Sequence, residues 1–208
     1  MLWSAHSAAA WDNTFSMSLL RAFIAVEIPS EIQQNVYKET SNFRKGIDSL
    51  VRWVPVENMH LTLKFLGDVS PANVEFLIQM LRNEAVAISC FTIHLTGLGS
   101  FPSLRRPRVI YIGIQAPTAL DGLQRGIESA SRRLGYEAEE RPFSAHLTLG
   151  RVKQNITAID QQKIRRTVEG TQVDLLGSAR VDSVSLYKSE LKPSGSVYTR
   201  LYSAPLKK

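Results

Sequence analysis

His60-Leu-Thr-Leu-Lys-Phe-Leu-Gly67 returns 86 residues further on as His146-Leu-Thr-Leu-Gly-Arg-Val152. In the first segment the residues alternate, with Leu61, Leu63 and Phe65 on one face and His60, Thr62 and Lys64 on the other, which is the period of a half-buried strand. Histidine and threonine two positions apart on a strand point the same way, so each segment sets an imidazole beside a hydroxyl donor. One such unit is ordinary strand surface. Two identical units suggest two halves facing each other, with both imidazoles and both hydroxyls around one cleft. An imidazole titrates near pH 6.5, so one ring can act as neutral base and the other as protonated acid. The threonines and a nearby cation can hold non-bridging phosphate oxygens. The set therefore suits making or breaking a phosphodiester bond in RNA.

The chain has four histidines: His6, His60, His94 and His146. His94 also opens a His-Leu-Thr string on an alternating stretch, but its fourth residue is Gly97. It is expected to be a solvent-facing strand residue without a catalytic role. Phe23, Phe65 and Trp53 could stack a base, and core packing is the expectation for each. Lys64, on the face of His60 and Thr62, reads equally as a phosphate contact or a solvated rim lysine.

Outward from the motifs, Phe23 to Ile28 reads as a mostly buried strand ended by Pro29. Ser30 with Gln33 suggests a capped helix whose apolar residues Ile32, Val36 and Phe43 precede Gly46. Ser70-Pro71 opens a second helix with the stripe Val74, Leu77, Ile78 and Leu81. Strands follow over Phe91 to Leu98 and Arg108 to Ile114. Thr118 with Asp121 reads as a capping box before a helix ended by Gly135. After the second motif come a helix near Thr157 to Val168 and strands over Val181 to Tyr187 and Ser196 to Tyr202. This order predicts an α+β fold of two similar halves with antiparallel sheets, rather than a doubly wound parallel sheet.

With 208 residues, 44% of them hydrophobic, the chain can bury a core, and no stretch approaches twenty apolar residues, so no membrane span is expected. Residues 1–16 lack lysine and arginine and read as a flexible extension ahead of one domain over 17–208. The single cysteine, Cys90, allows no intrachain disulfide and fits a reducing cytosol. A formal charge of +6 favours polyanionic partners, and Arg105, Arg106 and Arg108 form its densest piece. The tetrapeptides supply one histidine each and no acidic partner, which disfavours a metal-dependent hydrolase.

The chain resembles the two-histidine phosphoesterases, specifically the bacterial and archaeal RNA 2′,3′-cyclic phosphodiesterases also called 2′-5′ RNA ligases. The resemblance runs from about Leu20 to the C-terminus. It is carried by Arg21-Ala-Phe-Ile-Ala-Val-Glu-Ile-Pro29, Trp53-Val54, Asn58-Met-His-Leu-Thr-Leu-Lys-Phe-Leu-Gly67, Gly97 to Pro102, Arg108-Val109, Leu134-Gly135 and Arg141-Pro-Phe-Ser-Ala-His-Leu-Thr-Leu-Gly-Arg-Val152. Ala145 stands where such proteins often have proline. The resemblance implies a bilobal fold around a central cleft and metal-independent hydrolysis of 2′,3′-cyclic phosphate ends to 2′-phosphates, with reversible 2′-5′ ligation as a related activity. It implies His60 as proton donor and His146 as proton acceptor, with Thr62, Thr148 and Arg151 binding phosphate. Strict alternation from His146 turns Arg151 away from the site, so its role needs a strand end or a twist. No cofactor is expected, the partner is RNA or a nucleotide with a cyclic phosphate end, and a cytoplasmic monomer is expected. The alternative is a non-catalytic RNA-binding module that keeps the cleft.

Overall fold

The computed structural model describes residues 18–193 and 195–208. The expected extension over 1–16, with His6 in it, lies outside the described residues.

Two antiparallel sheets carry the fold. The first has four strands in the order β3-β1-β8-β9: β1 is Leu20–Glu27, β3 is His60–Val69, β8 is Ser183–Lys192 and β9 is Gly195–Pro205. The second has five strands in the order β2-β6-β5-β4-β7: β2 is Val51–Trp53, β4 is Phe91–Ser103, β5 is Arg106–Gln115, β6 is His146–Val152 and β7 is Gly177–Val181. The α-helices among the described residues are α1 (Ser30–Glu39), α2 (Ser41–Ile47), α3 (Val74–Val86), α4 (Thr118–Arg133) and α5 (Ala158–Glu169).

The expected α+β halves are present, but the halves of the sequence are not the lobes of the structure. The four-stranded sheet joins the two ends of the chain, because β8 pairs with β1 (Phe23 opposite Tyr187). Helices exchange reciprocally. α1 follows β1 yet packs beside β7 of the five-stranded sheet, whereas α4 follows β5 yet packs on β3 and α3 of the four-stranded one. α3 and α5 stay with the sheets of the motif strands that precede them. One hydrophobic cluster, including Ile24, Leu61, Leu81, Ile110, Ile127, Leu147 and Leu186, joins the buried sheet faces to the helices.

Several local expectations are corrected. The helix expected from Ser30 through Phe43 divides at Thr40, whose hydroxyl donates to the Val36 carbonyl at 2.6 Å, and Gly46 lies inside α2 rather than after it. Neither expected cap forms: α1 and α4 begin after Pro29 and Pro117 with no side-chain cap. Gln33 is buried instead, and its amide donates to the Met59 carbonyl at 2.9 Å, one residue before the first motif. The capping box belongs to α5, where Thr157 and Asp160 bond reciprocally. Pro71 opens a short tight turn before α3 rather than the helix itself. Strands β4 and β5 run further toward their connecting hairpin than expected, and β2 and β7 are strands the alternation did not show.

Candidate active site

Both motif strands begin at their histidine. His60 lies across from Glu27 on β1 and Thr62 across from Ala25; His146 lies across from Gly113 on β5 and Thr148 across from Tyr111. β3 and β6 lie beside each other between the sheets. His60, Thr62, His146, Thr148 and Arg151 all line one cleft of about 500 Å³. Cleft-lining side chains come from both sheets, including Arg21 and Phe23 of β1, Phe101 of β4, Val109 of β5 and Tyr198 of β9.

The two histidines are held in the same way. His60 Nδ1 is 2.8 Å from the Asn58 carbonyl oxygen, and His146 Nδ1 is 2.7 Å from the Ser144 carbonyl oxygen. A carbonyl only accepts, so Nδ1 carries the proton in each ring and Nε2 is the nitrogen left for chemistry. Asn58 is itself tied down, its amide donating to the Ser196 carbonyl of β9 at 2.8 Å. Aromatic rings support each imidazole. Phe23, only 3% exposed, stacks on His60 at 4.8 Å and Tyr198 meets it edge-on at 5.3 Å. Phe101 and Tyr111, stacked on each other at 4.3 Å, meet His146 edge-on at 5.0 and 5.5 Å.

Burial is the main cause holding both imidazolium forms below the ordinary histidine value, and in each ring the carbonyl bond to Nδ1 opposes it. A further lowering comes from His146 at His60 and from the Arg151 guanidinium at His146. The positive charge of Arg151 therefore favours the neutral, proton-accepting form of His146.

Alternation fails at the fourth residue of each motif, and this places Arg151. In the β1–β3 register Ile24 faces Lys64 and Ala25 faces Thr62, so Leu63 is an extra residue. In the β5–β6 register Ile110 faces Gly150 and Tyr111 faces Thr148, so Leu149 is extra too. A bulge of this kind reverses the faces beyond it. Arg151 is thereby brought to the cleft, where strict alternation would not have put it. By the same reversal Phe65, expected in the core, is 56% exposed at the cleft.

Lys64 is turned inward, which overturns both readings of it as a phosphate contact or rim lysine. It is 1% exposed, its ammonium lies 2.9 Å from Glu128 Oε2 on α4, and it donates to the Glu137 carbonyl. Glu128 Oε1 accepts the Glu139 amide at 3.1 Å, so the pair pins the loop that leads to His146. That loop supplies Glu139, Arg141, Phe143 and Ser144 to the cleft wall.

His94 is exposed on β4, outside the cleft lining, with Nδ1 2.7 Å from Ser178 Oγ of β7. Its string also carries a bulge at the fourth position, but there Gly97 supplies it with a positive φ of 73°. Trp53 is half-buried, meets Phe43 edge-on at 5.5 Å and donates to Asp48 at 2.8 Å, as core packing predicts. Sequence reasoning missed Arg21, Arg141, Tyr111 and Tyr198. Arg21 had a signal, being two positions from Phe23 on the same strand.

Among the described residues no group of three or more His, Cys, Asp or Glu side chains is placed to hold a metal ion, and no helix is long and apolar enough to cross a membrane.

The fold is shared by known proteins. A family model described as "LigT like Phosphoesterase" matches residues 26–111 and again 112–198, so the repeat seen in the motifs extends over both halves. The chain belongs to this LigT-like phosphoesterase family. It is 34% identical over 180 residues to a Methanothermobacter thermautotrophicus protein named RNA 2′,3′-cyclic phosphodiesterase, covering 86% of this chain and 95% of that protein. Among solved structures, E. coli LigT complexed with 3′-AMP superposes with a TM-score of 0.75 at 26% identity over 91% of this chain and 99% of LigT. TT0787 of Thermus thermophilus gives 0.74 at 27% identity over 90% of this chain and 98% of its own.

Proposed function

We propose that this protein hydrolyses 2′,3′-cyclic phosphate ends of RNA to 2′-phosphates, without a metal or other cofactor, as a cytoplasmic monomer whose single domain spans 17–208. Relatives named RNA 2′,3′-cyclic phosphodiesterase support the substrate. The observation that supports the mechanism is the matched tethering of both Nδ1 atoms by the carbonyl two residues upstream, which leaves Nε2 free on two histidines that line one cleft.

His146, its neutral form favoured by burial and secondarily by Arg151, takes a proton from the attacking water. His60 gives its proton to the departing 3′-oxygen as the ring opens. Thr62, Thr148 and Arg151 hold the non-bridging phosphate oxygens, where the guanidinium offsets charge that builds up during attack. His60 must be protonated to serve as acid although burial disfavours that form. The anionic phosphate brought beside it favours the imidazolium and corrects this on binding. With a ribose 5′-hydroxyl in place of water, the same pair in the same roles would open the cyclic phosphate and form a 2′-5′ bond; run backward, with roles exchanged, it would cleave that bond to the cyclic phosphate.

The test is incubation with RNA carrying a cyclic phosphate end, in EDTA, with the phosphate isomer identified. Full turnover to the 2′-phosphate supports the reading. A 3′-phosphate product contradicts it, EDTA-sensitive turnover would replace the metal-free mechanism, and RNA affinity without turnover would favour a binding module.

A further inference from the structure

We propose that a second, cation-rimmed hollow beyond the cleft binds the sugar-phosphate chain of RNA upstream of its reacting end, making an oligonucleotide rather than a mononucleotide the fitted substrate. The proposal rests on the reading of the cleft as a site for RNA ends.

The hollow measures about 460 Å³ and lies at the hairpin end of β4 and β5. Pro102, Pro107 and Ile156 give it an apolar floor, and Arg106, Arg108 and Lys153 give it cations; no aspartate or glutamate lines it. Arg106 and Arg108 are exposed on either side of the buried Pro107, and Arg108 is the extra residue of a bulge in the β4–β5 register, where alternation is broken and all three residues line the hollow. Among the described residues none of the three cations lies within ion-pair distance of a carboxylate, whereas five other cations do. Lys153 is held in place by donating to the Ser49 carbonyl at 2.7 Å. An unneutralised cluster of this kind is what a phosphate chain recruits through release of its counterions.

The hollow adjoins the cleft at the hairpin end of β5 and β6. Val109 and Arg151 face each other across β5 and β6 and line the cleft, while the next residues toward the hairpin, Arg108 and Val152, line the hollow. From His146 to Lys153 the strand advances roughly 20 Å at about 3.3 Å per residue. RNA reacting at the histidines therefore passes Arg151 and reaches Arg108, Lys153 and Arg106 several nucleotides upstream.

The test compares wild type, R106Q/R108Q and R106K/R108K on a 2′,3′-cyclic mononucleotide and on a decanucleotide with the same end. Turnover and decanucleotide affinity by fluorescence anisotropy are both followed across salt concentrations. The glutamine variant should weaken decanucleotide KM and Kd roughly tenfold and flatten the logarithmic salt dependence by about 0.7 per lost phosphate contact. Mononucleotide kinetics should not change, and the lysine variant should keep the salt dependence. Unchanged decanucleotide affinity overturns the proposal, as does an equal loss on both substrates. Weakened decanucleotide affinity in a protein that turns over neither substrate supports the hollow and removes the cyclic-phosphate reading instead.

Discussion

Leu63 and Leu149 hold one position in two strands: each is the extra residue of a bulge, and each is followed by a residue turned inward and then one turned to the cleft. The inward pair is Lys64 and Gly150, and the cleft pair is Phe65 and Arg151. The fourth letter of the repeated tetrapeptide thus decides which later side chains reach the cleft. One half contributes an aromatic ring there and the other a guanidinium, so the near-symmetric cleft is chemically asymmetric.

Arg151→Ala should lower kcat/KM by roughly ten- to hundredfold, the loss expected when a charged hydrogen-bond donor to an anion is removed. Steady-state kinetics on a cyclic-phosphate substrate measures it. A variant with wild-type kcat/KM would take Arg151 out of the phosphate site.

The pH profile should be bell-shaped with both limbs of kcat/KM below about 6.5, because both rings titrate below their ordinary value in the free protein. Activity rises with pH as His146 loses its proton and falls as His60 loses its own; the apparent values belong to the coupled pair. Arg151→Gln removes a charge that disfavours protonation of His146, so its acid limb should move up. Limbs above 6.5, or an acid limb unmoved in the variant, would contradict this electrostatic account.

Lys64→Met leaves Glu128 without its buried partner and should cost about 3 kcal/mol, which lowers Tm by roughly 6–12 °C for a chain of this size. Replacing both, as Lys64→Met with Glu128→Leu, should recover much of that loss because no buried charge remains unpaired. Thermal unfolding of the three variants distinguishes a buried pair from a solvated one, for which all would unfold together.

Gly99→Ala should disturb the support of His146. A Cβ at Gly99 would come within 2.6 Å of the Tyr111 ring, which stacks on Phe101 and meets His146 edge-on. Overpacking of this kind costs about 1–3 kcal/mol. The expected result is lower kcat, since the displaced Tyr111 ring supports the His146 imidazole directly. Unaltered kcat would show that the aromatic support is dispensable.

Much of the site could be read in the chain because its parts are local. A strand period sets His60 beside Thr62 and His146 beside Thr148, and repetition implies one cleft. What alternation could not reveal was its own interruption: a bulge depends on the partner strand, so Lys64 was placed on the wrong face, Phe65 in the core, and Arg151 looked misdirected. Caps failed for a similar reason. Gln33 is drawn to the Met59 carbonyl by tertiary packing, while the box at Thr157 and Asp160 is settled within one turn of helix. The exchange of α1 and α4 between lobes is a choice of long-range packing partners, and no local pattern records it.

The most direct measurement is turnover of a cyclic-phosphate-ended RNA by H60A, H146A and the double variant, with H94A as control and folding checked by thermal unfolding. Acid and base act in one step, so each single variant should lose nearly all the activity that the double variant loses, while H94A stays near wild type. Substantial turnover by a folded H60A or H146A would contradict the paired-histidine mechanism.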